Sequence, residues 1–158
     1  MYLYFHNDRM DGMRTLWIAL FLGWIGVGVS AQDFYQQEIT DEIFARIEGK
    51  SFKANCTTPR EDLRYLRVLH YNKDREVLEG ELICHKDIAD DLLVIFQELY
   101  KAAYPIERMV LIDEYDADDE ASMRANNTSA FNFRYASGMN RLSSHSKGMA
   151  IDINPLYN

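Results

Sequence analysis

The spacing of apolar residues predicts two helices in this chain. In the segment 40–49 the apolar residues share one helical face, Thr40 is placed to cap the helix and Gly49 to end it. In the segment 87–103 apolar residues recur every three or four positions, and Asp87 is placed as the cap. Both segments are therefore expected to pack one apolar face on a core.

Runs rich in Leu, Val, Ile and Tyr predict strands. The segments 63–71 and 76–84 are separated by the polar turn 72–75, which indicates a β-hairpin. Two more strands are expected over 106–112 and 150–153. The order of helix, hairpin, helix, strand, polar loop and strand predicts a small α+β domain with a central antiparallel sheet and flanking helices.

A long polar stretch separates the last two predicted strands. It runs over 113–140, and connections of this length in a compact domain are usually functional. Its first part, 113–120, holds six acidic residues in eight positions but has neither the alternating ligands nor the turn glycine of a calcium loop. We therefore expect 113–120 to be a solvated loop.

The amino-terminal part of the chain has the pattern of an export signal. Residues 16–29 are uncharged and largely apolar, they follow Arg14, and small residues end the stretch at Ala31. Fourteen residues are too few for the roughly 20 that span a bilayer, although an uncleaved anchor and a buried helix are the alternatives. We expect cleavage after Ala31, which leaves 32–158 as an exported domain with no stable membrane span.

The net charge of the chain argues against nucleic acid as a partner. The 158 residues carry 17 Lys and Arg against 25 Asp and Glu, a net charge of −8. Residues 1–31 contain two charges of each sign, so cleavage leaves the balance unchanged. This chain lacks the basic surface on which phosphate binding depends, and nucleic acid is not an expected partner.

The two cysteines leave an alternative open. After export both Cys56 and Cys84 would lie in an oxidising compartment, where they could form a disulfide. They could equally be two buried thiols, because their spacing does not decide between the two states.

The segment 143–155 contains the candidate metal-binding residues of the chain. His145 and Asp152 lie seven positions apart, with Gly148 between them to let the backbone turn. In the predicted strand 150–153 alternate side chains face opposite ways, so the two isoleucines enter the core and Asp152 faces a pocket beside the small Ala150. An imidazole nitrogen and a carboxylate oxygen are suitable ligands for zinc.

The pattern Ser143-x-His145-x-x-Gly148-x-Ala150-x-Asp152 resembles the zinc-ligand signature of the M15 metallopeptidases. That family includes D-alanyl-D-alanine carboxypeptidases and L-alanyl-D-glutamate endopeptidases. The resemblance extends upstream through 122–134 and covers 56–158. It implies a small α+β fold of the type shared by D,D-peptidases and the Hedgehog signalling domain.

By this resemblance His145 and Asp152 are zinc ligands. An arginine would bind the free carboxylate of a peptidoglycan stem peptide through a two-pronged ion pair; Arg134 is the first candidate and Arg124 the second. Ser129 would orient the substrate. The alternatives are that these are two surface arginines and a turn serine.

The family pattern also implies residues that this sequence does not contain. M15 enzymes take a third ligand, a histidine, and an acidic general base from a later segment, which would lie beyond Asn158. No catalytic base is therefore assigned, and the chain is expected to be an incomplete peptidase domain. His85 is expected to be a helix-entry residue beside Asp87 rather than a substitute ligand.

These observations predict an exported zinc metallopeptidase, periplasmic or extracellular, that hydrolyses peptidoglycan stem peptides next to D-amino acids. One alternative is a non-catalytic exported module that binds peptidoglycan and keeps a degenerate metal site. Another is a secreted structural domain in which the motif from His145 to Asp152 is coincidental.

Overall fold

A three-stranded antiparallel sheet lies at the centre of the computed structural model, which describes residues 33–136 and 138–157. The strands are β1 (Tyr35–Glu38), β2 (Leu63–Tyr71) and β3 (Val77–His85), in the order β1-β2-β3. The helices of the described ranges are α1 (Asp41–Ile47), α2 (Lys86–Lys101) and α3 (Asp119–Arg124). This mixed architecture agrees with the predicted α+β class.

The predicted hairpin and the two predicted helices are confirmed, with one change at a helix end. β2 and β3 pair from Leu63 opposite His85 to Tyr71 opposite Val77. Thr40 caps α1, its hydroxyl accepting a hydrogen bond from Ile43 N at 3.3 Å. The cap of α2 is His85 rather than Asp87, because the ring nitrogen Nδ1 of His85 accepts the free N–H of Asp87 at 3.2 Å.

Each face of the sheet carries its own core, as the period-2 pattern of β2 and β3 requires. The α2 core covers one face with these buried residues: Phe34, Leu66, Val68, Leu82, Cys84, Ala89, Leu92, Phe96, Ile106, Met109 and Ala130. The α1 core covers the other with these: Ile39, Ile43, Ile47, Leu63, Tyr65, Ile83, Leu111, Phe131 and Phe133. Adjacent residues of one strand therefore belong to different cores.

The outer edge of β3 holds three separate segments by single hydrogen bonds. Glu81 N donates to Met109 O at 2.9 Å, Phe131 N donates to Ile83 O at 2.9 Å, and His85 N donates to Gly148 O at 2.9 Å. The second contact fixes the chain before His145, and the third fixes it between His145 and Asp152. This edge therefore positions the candidate site.

The predictions of strands over 106–112 and 150–153 are wrong. These segments form only isolated bridges. Along the first of these segments, buried asparagine side chains take the place of a neighbouring strand. Asn127 accepts from Val110 N at 2.9 Å and donates to Val110 O at 3.0 Å. Asn154 bonds the same segment in the same way, at Pro105 O and Glu107 N.

The stretch 113–140 is more ordered than a long loop, which corrects the prediction. It contains α3 and most of a 3-10 turn, Ile112–Tyr115. Asp113 is buried and accepts two hydrogen bonds from Ser51, one from its backbone N–H and one from its hydroxyl, both at 2.9 Å. Burial raises the pKa of Asp113 despite these bonds. The solvated-loop prediction is therefore wrong at Asp113.

The strand β1 was not predicted, because its sequence Tyr-Gln-Gln-Glu has no alternation of apolar and polar residues. It pairs with β2, Tyr35 lying opposite Arg67. A backbone ladder to an existing strand is enough to form it.

Two further expectations concern the cysteines and the amino terminus. Cys56 and Cys84 are both free thiols. Cys84 belongs to the α2 core and Cys56 packs against the α1 core, so the sheet separates them.

Within the described ranges no helix is long and apolar enough to cross a bilayer. The expected signal 16–29 and its cleavage after Ala31 lie outside the described residues.

Candidate metal centre

The fold brings His145 and Asp152 together. His145 lies in a 3-10 turn, Ser144–Lys147, whose first N–H groups are capped by Ser143; its hydroxyl accepts from His145 N at 3.3 Å. Gly148 ends the turn with φ of +67°, a conformation that glycine adopts without strain. The turn thus reverses the chain toward Asp152.

Asp152 is fixed by its backbone and leaves its carboxylate partly exposed. It forms an antiparallel bridge with Ser129, with N···O distances of 3.2 and 3.0 Å. Ile151 and Ile153 pack against the α2 core, and the Asp152 side chain is 49% exposed. The predicted alternation of side chains in this segment is therefore confirmed, although the segment is not a strand.

The hydrogen bonds of His145 decide which ring nitrogen is free. Nδ1 lies 2.7 Å from the carbonyl oxygen of Ala130, which can only accept, so Nδ1 carries the proton. The other nitrogen, Nε2, lies 3.3 Å from Oδ2 of Asp152. In the neutral ring its lone pair would face a carboxylate, which is repulsive. A proton or a cation between the two atoms would relieve this repulsion.

The separation of these atoms fits a tetrahedral metal ion. Zinc binds imidazole nitrogen and carboxylate oxygen at about 2.0–2.2 Å, and at a tetrahedral angle two such ligands lie about 3.4 Å apart. The 3.3 Å between Nε2 and Oδ2 matches that distance. A direct hydrogen bond between imidazolium and carboxylate is shorter, about 2.7–2.9 Å. A carbonyl bonded to the second ring nitrogen is also the usual support of a metal-binding histidine.

His145 and Asp152 remain a pair of candidate ligands without a third among the described residues. No group of three or more His, Cys, Asp or Glu side chains within 33–136 and 138–157 is arranged to hold a metal ion. His85 bonds Asp87 at the start of α2, as expected from the sequence. His70 is buried, its Nδ1 lies 2.8 Å from Ile106 O, and burial lowers its pKa.

A polar pocket of about 300 Å³ lies beside His145. Its lining residues are Ala136, Arg141, Leu142, Ser143, Ser144, His145 and Ala150. Ala150 lines this pocket as predicted, but Asp152, which the sequence places at the same pocket, is not among the lining residues. Pockets for small ligands begin at about this volume.

The two arginines predicted to bind substrate have other partners. Arg134 forms an ion pair with Asp119 at the start of α3, and its Nη1 donates to Tyr135 O at 3.5 Å. Arg124 is exposed on α3 and pairs with Glu120 at 3.3 Å. Ser129 is beside the metal ligands through its backbone bridge to Asp152. Neither arginine lines the pocket beside His145.

No family model, curated protein or solved structure matches this chain.

Several buried polar residues support the site, and sequence reasoning did not identify them. The hydroxyl of Ser146 accepts from Arg134 N at 2.9 Å and donates to Arg134 O at 2.5 Å, which joins the metal-ligand turn to the preceding segment. Thr128 accepts from Asn154 N at 3.2 Å, and Asn126 accepts from Leu156 N at 3.0 Å. The concentration of such residues over 126–129 was the available sequence signal, because polar residues of this size rarely cluster without making backbone contacts.

Proposed function

We propose that this chain carries two ligands of the zinc site of an exported M15-type metallopeptidase that acts on peptidoglycan stem peptides. One observation carries the proposal: Nε2 of His145 and Oδ2 of Asp152 lie 3.3 Å apart while Nδ1 of His145 bonds Ala130. The spacing supports a bound cation, and the proton on Nδ1 leaves the lone pair of Nε2 available to bind it. The α+β architecture is compatible with the D,D-peptidase and Hedgehog type of fold.

The residues of this chain would hold the metal and leave room for a peptide. The Ala130 carbonyl keeps the His145 ring in the tautomer that presents a lone pair to the metal. The exposed carboxylate of Asp152 supplies an oxygen ligand, and the pocket beside Ala150 supplies space for the bond to be cleaved. When bound, zinc polarises the scissile carbonyl and lowers the pKa of a coordinated water to about 7.

The resemblance assigns the remaining catalytic groups to sequence beyond Asn158. Those groups are a third ligand, a histidine, and an acidic general base, whose contribution to rate is typically about 10²–10⁴. We therefore expect weak zinc binding by residues 1–158 and hydrolysis only in a form that contains both groups. The gene sequence after codon 158 tests this expectation directly, because it should encode an acidic residue followed within a few positions by histidine.

Zinc binding by the 158-residue chain tests the metal site. We expect His145→Ala and Asp152→Asn each to weaken binding, measured by competition with a chromophoric chelator, by more than the roughly 10–100-fold that a supporting partner contributes. His85→Ser is the matched control, since it removes a histidine while keeping an oxygen to cap α2. Equal zinc affinity in the His145→Ala variant and the parent protein would contradict the proposed zinc site.

Assays on a longer form of the protein, extending beyond residue 158, distinguish the peptidase from the non-catalytic binding module. Release of D-alanine or of a cleaved stem peptide in the presence of zinc supports the peptidase. Binding of zinc and stem peptide without cleavage supports the non-catalytic module instead.

A further inference from the structure

Exposed apolar side chains gather where α3 meets the segment 155–157. Met123 is 46% exposed, Leu156 55% and Tyr157 71%. A groove of about 390 Å³ lies beside them, and its lining residues are Glu120, Met123, Arg124, Pro155 and Leu156. An exposed apolar patch with a polar rim is the usual mark of a surface that contacts another molecule.

Hydrogen bonds hold the segment 155–157 in place on the fold. Leu156 N donates to the buried Oδ1 of Asn126 at 3.0 Å. The hydroxyl of Tyr157 donates to Oε2 of Glu107 at 3.2 Å, and its backbone N–H donates to Asn154 O at 3.0 Å. The exposed side chains therefore stand on an ordered backbone, which lowers the entropy cost of forming a contact with them.

Two charges of opposite sign border the groove. Glu120 and Arg124 lie one turn apart on α3, and their side chains are 84% and 67% exposed. Nη1 of Arg124 lies 3.3 Å from Oε2 of Glu120. An exposed pair of this kind contributes little to stability. Both groups can therefore exchange this contact for one with another molecule at little cost.

This surface is complementary to itself under a two-fold rotation. When the axis passes between Glu120 and Arg124, α3 of a second copy runs antiparallel to α3 of the first. Arg124 of each copy then faces Glu120 of the other, and the apolar side chains of each copy lie over the groove of the other. Two-fold contacts are by far the commonest association between identical chains. The chain thus carries the occupant that its own groove requires, an apolar surface beside one acid and one base.

We propose that α3 and the segment 155–157 form an interface between two copies of this chain, related by a two-fold axis. Met123 and Leu156 supply the apolar contact, and ion pairs between Glu120 and Arg124 fix the orientation. A standard interface takes about 20–30 residues from each side, so this smaller surface gives weak, reversible association. The groove shares no lining residue with the pocket beside His145, so the dimer leaves that pocket open.

Sedimentation equilibrium of the full chain, with a chelator to prevent bridging by metal ions, tests the association. At about 0.15 M salt the Debye length is about 8 Å, so the net charge of −8 opposes association only weakly. From about 10 µM to about 1 mM protein the average mass should rise from that of one chain toward that of two. Leu156→Ser should weaken association about tenfold or more. Val94→Ser on α2, where the side chain is 58% exposed, is the matched control and should leave association unchanged.

Exchange of charges tests the two-fold arrangement. In a symmetric dimer Glu120→Arg places arginine opposite arginine, and Arg124→Glu places glutamate opposite glutamate, so each variant alone should stay monomeric. An equal mixture of the two variants should associate, because every base then faces an acid. The double variant should associate like the parent protein. Glu98→Lys on α2 controls for reversal of an exposed charge and should change nothing, since its side chain is 66% exposed far from α3 in the sequence.

Three results would overturn the proposal. They are a parent protein that stays monomeric over the whole range, association that survives Leu156→Ser, and a mixture of Glu120→Arg with Arg124→Glu that stays monomeric. The second result would show that the copies meet through another surface. Because the buffer contains a chelator, none of these outcomes bears on zinc binding by His145, and the proposed function is tested separately.

Discussion

At the scale of single residues, Gly148 carries two constraints that no other residue type satisfies together. Its φ of +67° is left-handed, and a Cβ built on it would lie 2.6 Å from the backbone nitrogen of His85 and 3.0 Å from the carbonyl carbon of Cys84. Both neighbours are backbone atoms of β3, so neither can move aside as a side chain would. The turn that contains His145 is therefore fixed against the edge of the sheet.

We predict that Gly148→Ala destabilises the protein more than a glycine substitution at a comparable backbone angle. Gly49 is the matched control, because its φ is +79° but a Cβ at this position would have no atom within 4 Å. Gly49→Ala should cost about 1–2 kcal/mol for the left-handed backbone alone. Gly148→Ala should cost a further ~1–3 kcal/mol for the steric overlap.

Urea unfolding of the two variants measures this difference. Gly148→Ala should also weaken zinc binding, because it displaces the turn that contains His145, whereas Gly49→Ala should not. Equal destabilisation by the two changes would show that the contact with β3 relaxes at no cost.

At the scale of secondary-structure elements, a charged network joins α1 to the sheet. Arg46 of α1 donates two hydrogen bonds to Glu81 of β3, at 3.0 and 2.8 Å, and the hydroxyl of Tyr65 of β2 donates to the same carboxylate at 2.5 Å. The side chain of Glu81 is 20% exposed. The bonds from Arg46 lower the pKa of Glu81, while burial and the Glu81 charge raise the pKa of Tyr65 to about 12.

The lowered pKa of Glu81 predicts how the stability of the fold depends on pH. Because the folded pKa of Glu81 lies below its ordinary value of 4.5, the network contributes its full stability above pH 4.5 and loses it as the pH falls through the folded pKa. We predict that Glu81→Gln lowers the free energy of unfolding at neutral pH by about 1–3 kcal/mol. The difference from the parent protein should shrink in acid.

Glu79→Gln is the control on the same strand. Its carboxylate pairs with Arg67 but is 62% exposed, so its loss should cost less than about 1 kcal/mol. Urea unfolding at neutral pH and well below pH 4.5 gives both comparisons. A Glu81→Gln variant whose deficit is constant with pH would contradict the assignment.

At the scale of the whole molecule, the sheet divides the interior into two cores and keeps the cysteines apart. Cys84 is fully buried in the α2 core, and burial raises the pKa of its thiol to about 12. Cys56 is half-buried beside the α1 core, and burial raises its pKa as well. A disulfide would require one of them to cross the sheet.

We predict two free thiols in the folded protein even after exposure to an oxidising medium. An alkylating reagent should modify Cys56 first, and Cys84 only when urea unfolds the chain, since the thiolate is the reactive form and Cys84 is both protonated and covered. Mass spectrometry of the intact and digested protein gives the order. An intact mass two hydrogens below the reduced value, or a cross-linked peptide of Cys56 and Cys84, would contradict the arrangement.

Local patterns in the sequence predict several elements correctly. The hairpin of β2 and β3 and the helices α1 and α2 follow from periods of 2 and about 3.6, and His145 with Asp152 follows from a spaced motif whose glycine and small residue have local roles. The alternation around Asp152 was also predictable, because Ile151 and Ile153 had to face the same way.

Contacts between residues far apart in the chain depend on tertiary packing and have no local signal. Asn127 and Asn154 replace a neighbouring strand along 105–110, at separations of 17 and up to 49 residues, and no periodicity within a window reports such a contact. Arg134 pairs with Asp119 and Arg141 lines the pocket beside His145, and no local pattern in the sequence reports either placement. Buried backbone groups need hydrogen-bond partners and buried charges need counter-charges. Tertiary packing determines which segment of the chain supplies each partner.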